Sequence, residues 1–502
     1  MKYLRSLCTL LFGVAVLLFF GLAYPHHLHY QEQFQLFLFD GNYVWDIVKL
    51  PGGVADLLGR FCTQFFLYAW VGAFIIGLLL SLVQLLTFRL VKWGRFYGLS
   101  FVPSFMLWIF LLDENALLGG VWAVLLTLLA AWGFEHLPRG WVRRVLLMAA
   151  IPILYWIAGP VCVIFFLVEA IGSNGADGSK AMQLWGYGAC LILVVMPFLL
   201  SYYLPVPADR LWLGIHYHRY PTEIPVILWG AALSVIVLMF IARFFQSRRL
   251  DWKALLSFAL VAAVMGCLVW KNANFKAEKV MQYDFMARFQ QWNRILETIN
   301  TEKPNNQIGV TVQNLALGMR GMLSEHLFDY NQNGLLGLLP DVGTDATSPL
   351  PTAEAFYQLG MMTVAQRTVF EAQEAILDFQ KSGRCYKRLA QTNLILGSYE
   401  VARKYLSALQ KTLFYRDWAN ETLPLLGDEK AIAKHPEYGR LRQMVYDENF
   451  FFSDHVTAEM LESLYYRNTD NHLAYEYLKA YYILTGDRDS YAKLLLHSTV
   501  KQ

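Results

Sequence analysis

Long apolar runs fill the first 270 residues and stop near Trp270–Lys271, where a polar stretch patterned for helices begins and continues to Gln502. A bilayer core takes about 20 apolar residues per helix. Runs of that kind lie at roughly 4–24, 61–88, 97–112, 115–133, 145–170, 182–204, 224–245 and 254–270, which makes eight candidate spans. Composition agrees, since 56% hydrophobic and 16% charged is more apolar than a soluble chain, in which about a quarter of residues are charged. The expected fold class is all-α: a polytopic helical membrane domain over 1–270, followed by a soluble all-helical domain over 271–502. Lys2 and Arg5 precede the first run and no clean small-x-small cleavage site follows it, so it reads as an uncleaved first helix.

Residues 1–270 carry 17 Lys/Arg against 12 Asp/Glu and the remainder 25 against 27, so neither half is basic enough to point to nucleic acid. The six cysteines stand singly with no CxxC, which argues against cysteine-held metal or redox chemistry. Few charges fall deep in any run, and ion-coupled transport needs buried ionisable groups along a pathway.

Orientation follows Lys and Arg in short loops. Lys2/Arg5, Arg89/Lys92/Arg95 and Arg139/Arg143/Arg144 put the N-terminus and two loops in the cytoplasm, with Asp113–Glu114 outside. Strict alternation then puts Arg243, Arg248, Arg249 and Lys253 outside and the tail inside. If Gly159–Pro160 marks a re-entrant or doubly crossing segment, everything downstream inverts. Charge counting scores the two versions equally; the tight Arg248–Arg249 pair favours the version with the tail outside.

Residues 25–60 form the long outer first loop. Its aromatic residues suit the headgroup zone, and Pro51–Gly52–Gly53 divides it into a pair of interfacial helices. Its carboxylates are Glu32, Asp40, Asp46 and Asp56. A carboxylate just beyond the first helix can act as general base or metal ligand toward a lipid-carried substrate, which makes Glu32 and Asp40 the candidate catalytic residues. His26, His27 and His29 would join His216 and His218 at a metal only if their loops face one side; beside aromatic and proline residues, interfacial hydrogen bonding is the commoner role, and no metal is assigned. Glu169, near the end of the fifth run, reaches the interface without crossing lipid.

The tail carries internal repeats. In residues 386–413, Tyr386, Leu389, Ala390, Gly397, Tyr399, Ala402, Leu406 and Leu409 fall at the offsets of a tetratricopeptide unit. A second copy has Tyr475, Leu478, Tyr482, Gly486 and Tyr491, with Lys479 where a small residue is expected. A third has Phe356, Leu359, Gly360, Ala372 and Ile376, with Arg367 at the turn position. Trp292 marks a divergent helix pair before them. The expected architecture is a short α-solenoid whose surface binds a protein or peptide, with Asn393, Arg403 and Arg388 as candidate binding residues. A Pro/Ser/Thr loop spans 338–356, with the next helix starting at Ala353.

Two resemblances add to this. The first-loop layout resembles the multispanning glycosyltransferases that use lipid-linked sugars, whose first outer loop carries an acidic catalytic residue. Glu32 holds the matching position, flanked by Gln31 and Gln33 where those enzymes have an Asp–Glu pair. Some mannosyltransferases of that kind also carry tetratricopeptide repeats. The resemblance implies Glu32 as base, a lipid-linked substrate, repeats presenting an acceptor, and a divalent metal as the one conceivable cofactor. The whole chain, through PGGVADLLGRFCTQFF and PLPTAEAFYQLGMMTVAQRTVFEAQEAIL, is similar to an uncharacterised bacterial family of transmembrane proteins with a repeat-containing tail. That likeness implies the inner membrane of a bacterium with an outer envelope, and the outside tail favoured by the basic loops would then lie in the periplasm. The leading expectation is a membrane protein whose repeats recruit or scaffold envelope proteins or peptides; the alternative is the glycosyltransferase.

Overall fold

In a computed structural model of the chain, the described residues are 2–500 apart from 93–96, 139, 173–178, 245–251, 342, 344, 346, 379 and 446–456. Every regular element among them is a helix, with one isolated bridge between Ala116 and His218. The chain divides into two compact units, Met1–Glu32 with Phe39–Phe275 and Gln33–Leu38 with Lys276–Gln502. The six residues Gln33–Leu38 thus leave the first loop, all of which the sequence reading assigned to the membrane half, and join the tail.

In the first unit all eight apolar runs are helical. Tyr3–Ala23, Ala69–Val91, Leu118–Glu135, Trp141–Ile171, Met182–Leu200 and Lys253–Asn272 are long and apolar enough to cross a membrane, while Tyr97–Phe110 and Val226–Ala242 are shorter. A helix satisfies its own backbone, which is what a lipid core demands. Close approach of the first two rests on Gly13 and Gly77: a Cβ on Gly77 would lie 3.0 Å from the Gly13 carbonyl.

Contacts at the helix termini sort this unit into two ends. At the basic end Arg5 lies over Phe88 at 4.6 Å and Arg89 over Trp132 at 5.2 Å. Lys92 pairs there with Glu135, and the Gly98 N–H donates to Ser257 Oγ at 3.0 Å. At the loop end the Asn274 N–H donates to the Tyr24 hydroxyl at 3.0 Å, the Leu117 N–H to the Tyr217 carbonyl at 3.1 Å, and the Tyr155 hydroxyl to the Leu211 carbonyl at 2.8 Å. Of the basic residues used for orientation, Arg95, Arg139, Arg248 and Arg249 lie outside the described residues.

Trp141–Ile171 is long enough for one tilted span at 31 residues, yet it reverses. Arg143 Nη2 donates to Glu169 Oε2 at 2.6 Å across a separation of 26 residues, which a straight helix would stretch to about 39 Å. The reversal is at Gly159–Cys162, a 3-10 turn at the loop end. Gly159 has φ +71°, and a Cβ there would meet the Tyr217 hydroxyl at 2.8 Å, so both backbone and space require glycine. The next long helix, Ser179–Leu200, ends with Leu200 packed beside Leu50 and Leu211 at the loop end. Trp252–Asn272 finishes beside Tyr24. The unit is therefore left at the end where the Pro25–Glu32 helix lies.

The first loop forms three helices rather than the expected pair, Pro25–Glu32, Gly41–Val48 and Gly53–Thr63. Asp40 starts the second, its carboxylate accepting from the Asn42 and Tyr43 N–H groups.

The second unit stacks helix pairs. Gly383–Leu396 with Tyr399–Leu409, and His472–Thr485 with Arg488–Val500, turn at Gly397 and Gly486 as their patterns predict. The third pair differs from expectation: Pro349–Leu359 and Met362–Glu374 turn at Gly360, and Arg367 lies mid-helix paired to Glu371 at 2.7 Å. The three turns share one closure, with Met361, Ser398 and Asp487 donating to Phe356, Asn393 and Tyr482, the Schellman pattern that a left-handed glycine permits. The third pair also begins at Pro349, four residues before Ala353, because a proline in the first turn forfeits no hydrogen bond. Trp292, Phe356, Leu394, Ala402, Met460 and Tyr477 share the main core. Gln33–Leu38 packs on this unit through Leu36, which lies with Ala390, Leu406, Leu409 and Tyr415, and the Leu36 N–H donates to the Lys381 carbonyl at 2.9 Å.

Candidate functional site

The loop end of the first unit is a polar layer. His27 Nε2 donates to the Leu111 carbonyl at 2.9 Å, His29 Nδ1 to the Phe66 carbonyl at 3.1 Å, and Gln31 Nε2 to the Ala116 carbonyl at 3.1 Å. Burial drives His27 down to about 4 against the pull of the Leu111 carbonyl and Asp113, so its ring is neutral. His218 Nε2 faces Asp113 Oδ2 at 3.1 Å. Burial acts to lower His218, but the Asp113 carboxylate outweighs it and holds the imidazole above its ordinary value. Asp113 answers in the opposite direction: burial acts to raise it, and the bonds from His218 and the Asn115 N–H keep it below the usual carboxylate range. His27, His29 and His218 are thus held by separate partners, and among the described residues no group of three or more His, Cys, Asp or Glu could hold a metal ion.

Of the candidate catalytic residues, Glu32 is buried at the last turn of its helix, and Asp40 is half-buried and occupied as a helix cap. Asp46 pairs with Lys49 on the surface at 2.6 Å. Asp56 is different: Arg60 Nε meets both its carboxylate oxygens, at 3.0 and 2.9 Å, and His216 Nε2 stands 3.7 Å from Oδ2. These three line or adjoin a small crevice walled by Gly52, Gly119 and Gly159. A carboxylate already saturated by a guanidinium is a poor base, so the trio fixes geometry, with His216 its one group suited to proton exchange. Arg60 escaped the sequence reading, and His216 was weighed there only as a metal ligand, although Asp56 and Arg60 sit four apart on one helix, a spacing that signals an ion pair.

In the second unit, Arg388 and Asn393 are interior rather than on a binding face. Asn393 donates to the Leu389 carbonyl at 2.7 Å and accepts from Gln366 at 2.9 Å. Arg388 pairs with Glu354, and its guanidinium lies 3.7 Å from the Tyr357 ring centroid. Arg403 alone is half-exposed, near Glu400 at 3.8 Å. The structure does not bring the three together on one surface. It builds instead a buried charged network that the sequence reading missed: Arg384 grips Asp284 through two bonds at 2.7 and 2.9 Å, holds Gln33 Oε1 at 3.0 Å, and approaches Glu354 at 3.5 Å. Glu437 accepts from the Tyr357 hydroxyl at 3.1 Å and from Gln290 at 3.3 Å. Next to Arg388, Lys387 lies half-buried over Trp418, 4.9 Å from the ring. The available signal was Glu354 and Asp284 in helices whose neighbours are otherwise core-forming.

A family model described as a family of unknown function, DUF6057, matches residues 1–501, and the chain belongs to that family. Neither the curated proteins nor the solved structures give a match.

Proposed function

We propose that this DUF6057 member is an integral membrane protein of the bacterial inner membrane whose tetratricopeptide-like tail recruits or scaffolds a protein or peptide of the cell envelope. The observation that carries the reading is Gln33–Leu38: the helix pairs of the tail hold a non-helical peptide of the chain itself, with one backbone bond at Leu36, a side-chain clamp at Gln33 and an apolar pocket for Leu36. A surface that binds one such segment has the chemistry to bind others. The Gly397, Gly486 and Gly360 turns support the repeat assignment.

In this reading seven helices cross the bilayer and Trp141–Ile171 enters and returns on one side, which sets the N-terminus in the cytoplasm and the tail in the periplasm. Support comes from Arg5, Arg89, Lys92 and Arg143 at one end of the first unit, as the positive-inside rule asks. It also comes from the exit beside Tyr24. Single cysteines replacing Asn115 or Glu400 should react with an impermeant maleimide in spheroplasts, and one replacing Arg144 should not; the reverse pattern rules the orientation out. A photocrosslinker replacing Val401, which is 44% exposed, should capture a discrete envelope protein, and its failure in intact cells counts against recruitment.

A second reading, the lipid-linked-sugar glycosyltransferase with Glu32 as base, draws support from the position of Glu32. It is the residue at which the chain passes from the first unit to Gln33 of the second, so an acceptor on the tail would share its side. A divalent metal belongs to this reading alone. Glu32→Gln that accumulates normally and fully complements a deletion removes it.

A further inference from the structure

In the second unit, residues 327–337 are short turns and irregular backbone pinned by side-chain amides. Asn314, fully buried, donates to Gln332 Oε1 and to the Gly337 carbonyl, both at 2.9 Å, and accepts from Gln332 Nε2 at 3.2 Å. Gln332 also donates to the Leu327 carbonyl at 2.8 Å, and Asn331 to the Lys303 and Pro304 carbonyls at 3.0 and 3.2 Å. One amide stands outside this web. Asn333 is exposed and precedes the Gly334–Gly337 turn with φ −109° and ψ 38°, yet its side chain makes no capping bond. Among the described residues its carboxamide has no hydrogen-bond partner.

The next residue is Gly334, with φ +62° and open space where a Cβ would stand. Its N–H makes no backbone hydrogen bond among the described residues. Two reactants therefore lie side by side and unengaged: the Gly334 amide nitrogen as nucleophile and the Asn333 side-chain carbonyl carbon as electrophile, which closure of a five-membered ring would join. Any other residue would oppose that ring with its Cβ, and glycine does not. Asn306, Asn393 and Asn471, by contrast, hold their side chains in hydrogen bonds. The other Asn–Gly pair of the chain, Asn174–Gly175, lies outside the described residues.

We propose that Asn333–Gly334 is a self-modification site, at which the folded chain loses a side-chain amide and gains a carboxylate. The Gly334 nitrogen gives its proton to a solvent base and bonds to Asn333 Cγ. The Cγ–Nδ2 bond breaks, ammonia leaves with a proton from solvent, and a succinimide remains. Water then opens that ring by adding to one of its two carbonyl carbons and releasing the Gly334 nitrogen from it. Addition at Cγ yields aspartate; addition at the main-chain carbonyl carbon yields isoaspartate, with the chain now running through Cγ. Nothing is oxidised or reduced. Either product carries one new negative charge, and isoaspartate also lengthens the backbone by one carbon. Gln332 and Gly337 are both tied to Asn314, so residues 333–336, all exposed, take up that carbon. The outcome is a second, more acidic form of the tail, whether or not the tail recruits a protein.

The test keeps the purified full-length protein, in detergent, in warm and mildly alkaline buffer, and follows each asparagine by peptide mass mapping with fragmentation that separates aspartate from isoaspartate. Asn333 should convert to a mixture of the two, about tenfold or more faster than Asn331, whose side chain is held and whose following residue has a Cβ. The rate should climb with pH, because the attacking amide must shed its proton. Gly334→Ala should slow conversion about tenfold, and Asn333→Gln should leave that position unchanged over the same interval. If Gly334→Ala fails to fold, the comparison of Asn333 with Asn331 in the parent chain decides alone. Conversion of Asn333 no faster than that of Asn331, or a rate that folded Gly334→Ala leaves untouched, overturns the proposal.

Discussion

In the first unit, buried side chains hand their protons mainly to backbone carbonyls: His27 to Leu111, His29 to Phe66, Ser104 to Leu80, Tyr155 to Leu211, Tyr217 to Ala158. In the second they answer to one another, through Arg384, Asp284, Glu354, Arg388, Tyr357 and Glu437. Surfaces differ in the opposite sense. Leu184, Leu191, Leu260 and Val264 stand 72, 66, 64 and 53% exposed on the first unit, the dress of helices that face hydrocarbon. The contrast teaches that the surrounding medium decides how interior polar groups are satisfied. Among apolar helices a neutral donor on a local carbonyl is the inexpensive solution, because an unpaired charge there is costly. A water-facing domain can assemble charges as it folds, provided each finds its partner.

The comparison is most exposed at Glu354. Glu354→Ala strands Arg388 and loosens Arg384, and removing one member of a buried pair costs about 3–5 kcal/mol; protease susceptibility of the tail in the full-length protein should rise steeply, and a mild effect would mean the network is solvated. Next comes Gly159→Val, which sets a β-branched residue at φ +71° against Tyr217. A loss of about 3 kcal/mol is expected, and a disulfide between cysteines at 143 and 169, efficient in the parent, should form poorly. Leu36→Ala removes a largely buried side chain from the Ala390–Tyr415 cluster, with about 2 kcal/mol lost from the tail and none from the first unit.

Smaller is the pH response of His218–Asp113. His218 is raised, so its share of stability is full below its ordinary value near 6.5 and drains as pH climbs through the raised one. Asp113 is lowered, so its share is full above about 3.9 and disappears as pH falls through the depressed one. Amide exchange at Leu117 and Arg219 should be slowest between about 4 and 6.5. The gain stays below about 1 kcal/mol because the Asp113 side chain is 47% exposed; a flat profile would leave the backbone bonds as the sole tie. Smallest of all, Arg367→Ala breaks an exposed pair with Glu371 and should shift stability by about 0.3 kcal/mol.

Much of the helical plan was legible because apolar runs and turn glycines are local signals. Gly397 and Gly486 close turns within their own hairpins, so their patterns were sufficient; Gly360 was visible too, but the repeat register drew attention to Arg367 instead. The reversal at Gly159–Pro160 was readable as a break, whereas its direction depends on Arg143 meeting Glu169, a contact no periodicity encodes. Arg388 and Asn393 read as binding residues on the repeat surface because polar side chains usually face outward; the Gly383–Leu396 helix is covered nearly all round, so its polar side chains turn inward. Docking of Gln33–Leu38 was invisible for the same reason in stronger form, since its partners lie in a distant part of the sequence.

That docking also bears on biogenesis. Gln33 and Arg384 are 351 residues apart, so the tail borrows a strip of polypeptide that emerges from the ribosome long before the helices that receive it. The domain cannot reach its final form during its own synthesis until the early loop is delivered to it, and chain made from residue 276 onward would present Ala390, Leu406 and Tyr415 uncovered. Maturation of the tail thereby includes closure of a very long loop, an entropic cost that a contact between near neighbours in sequence would not carry.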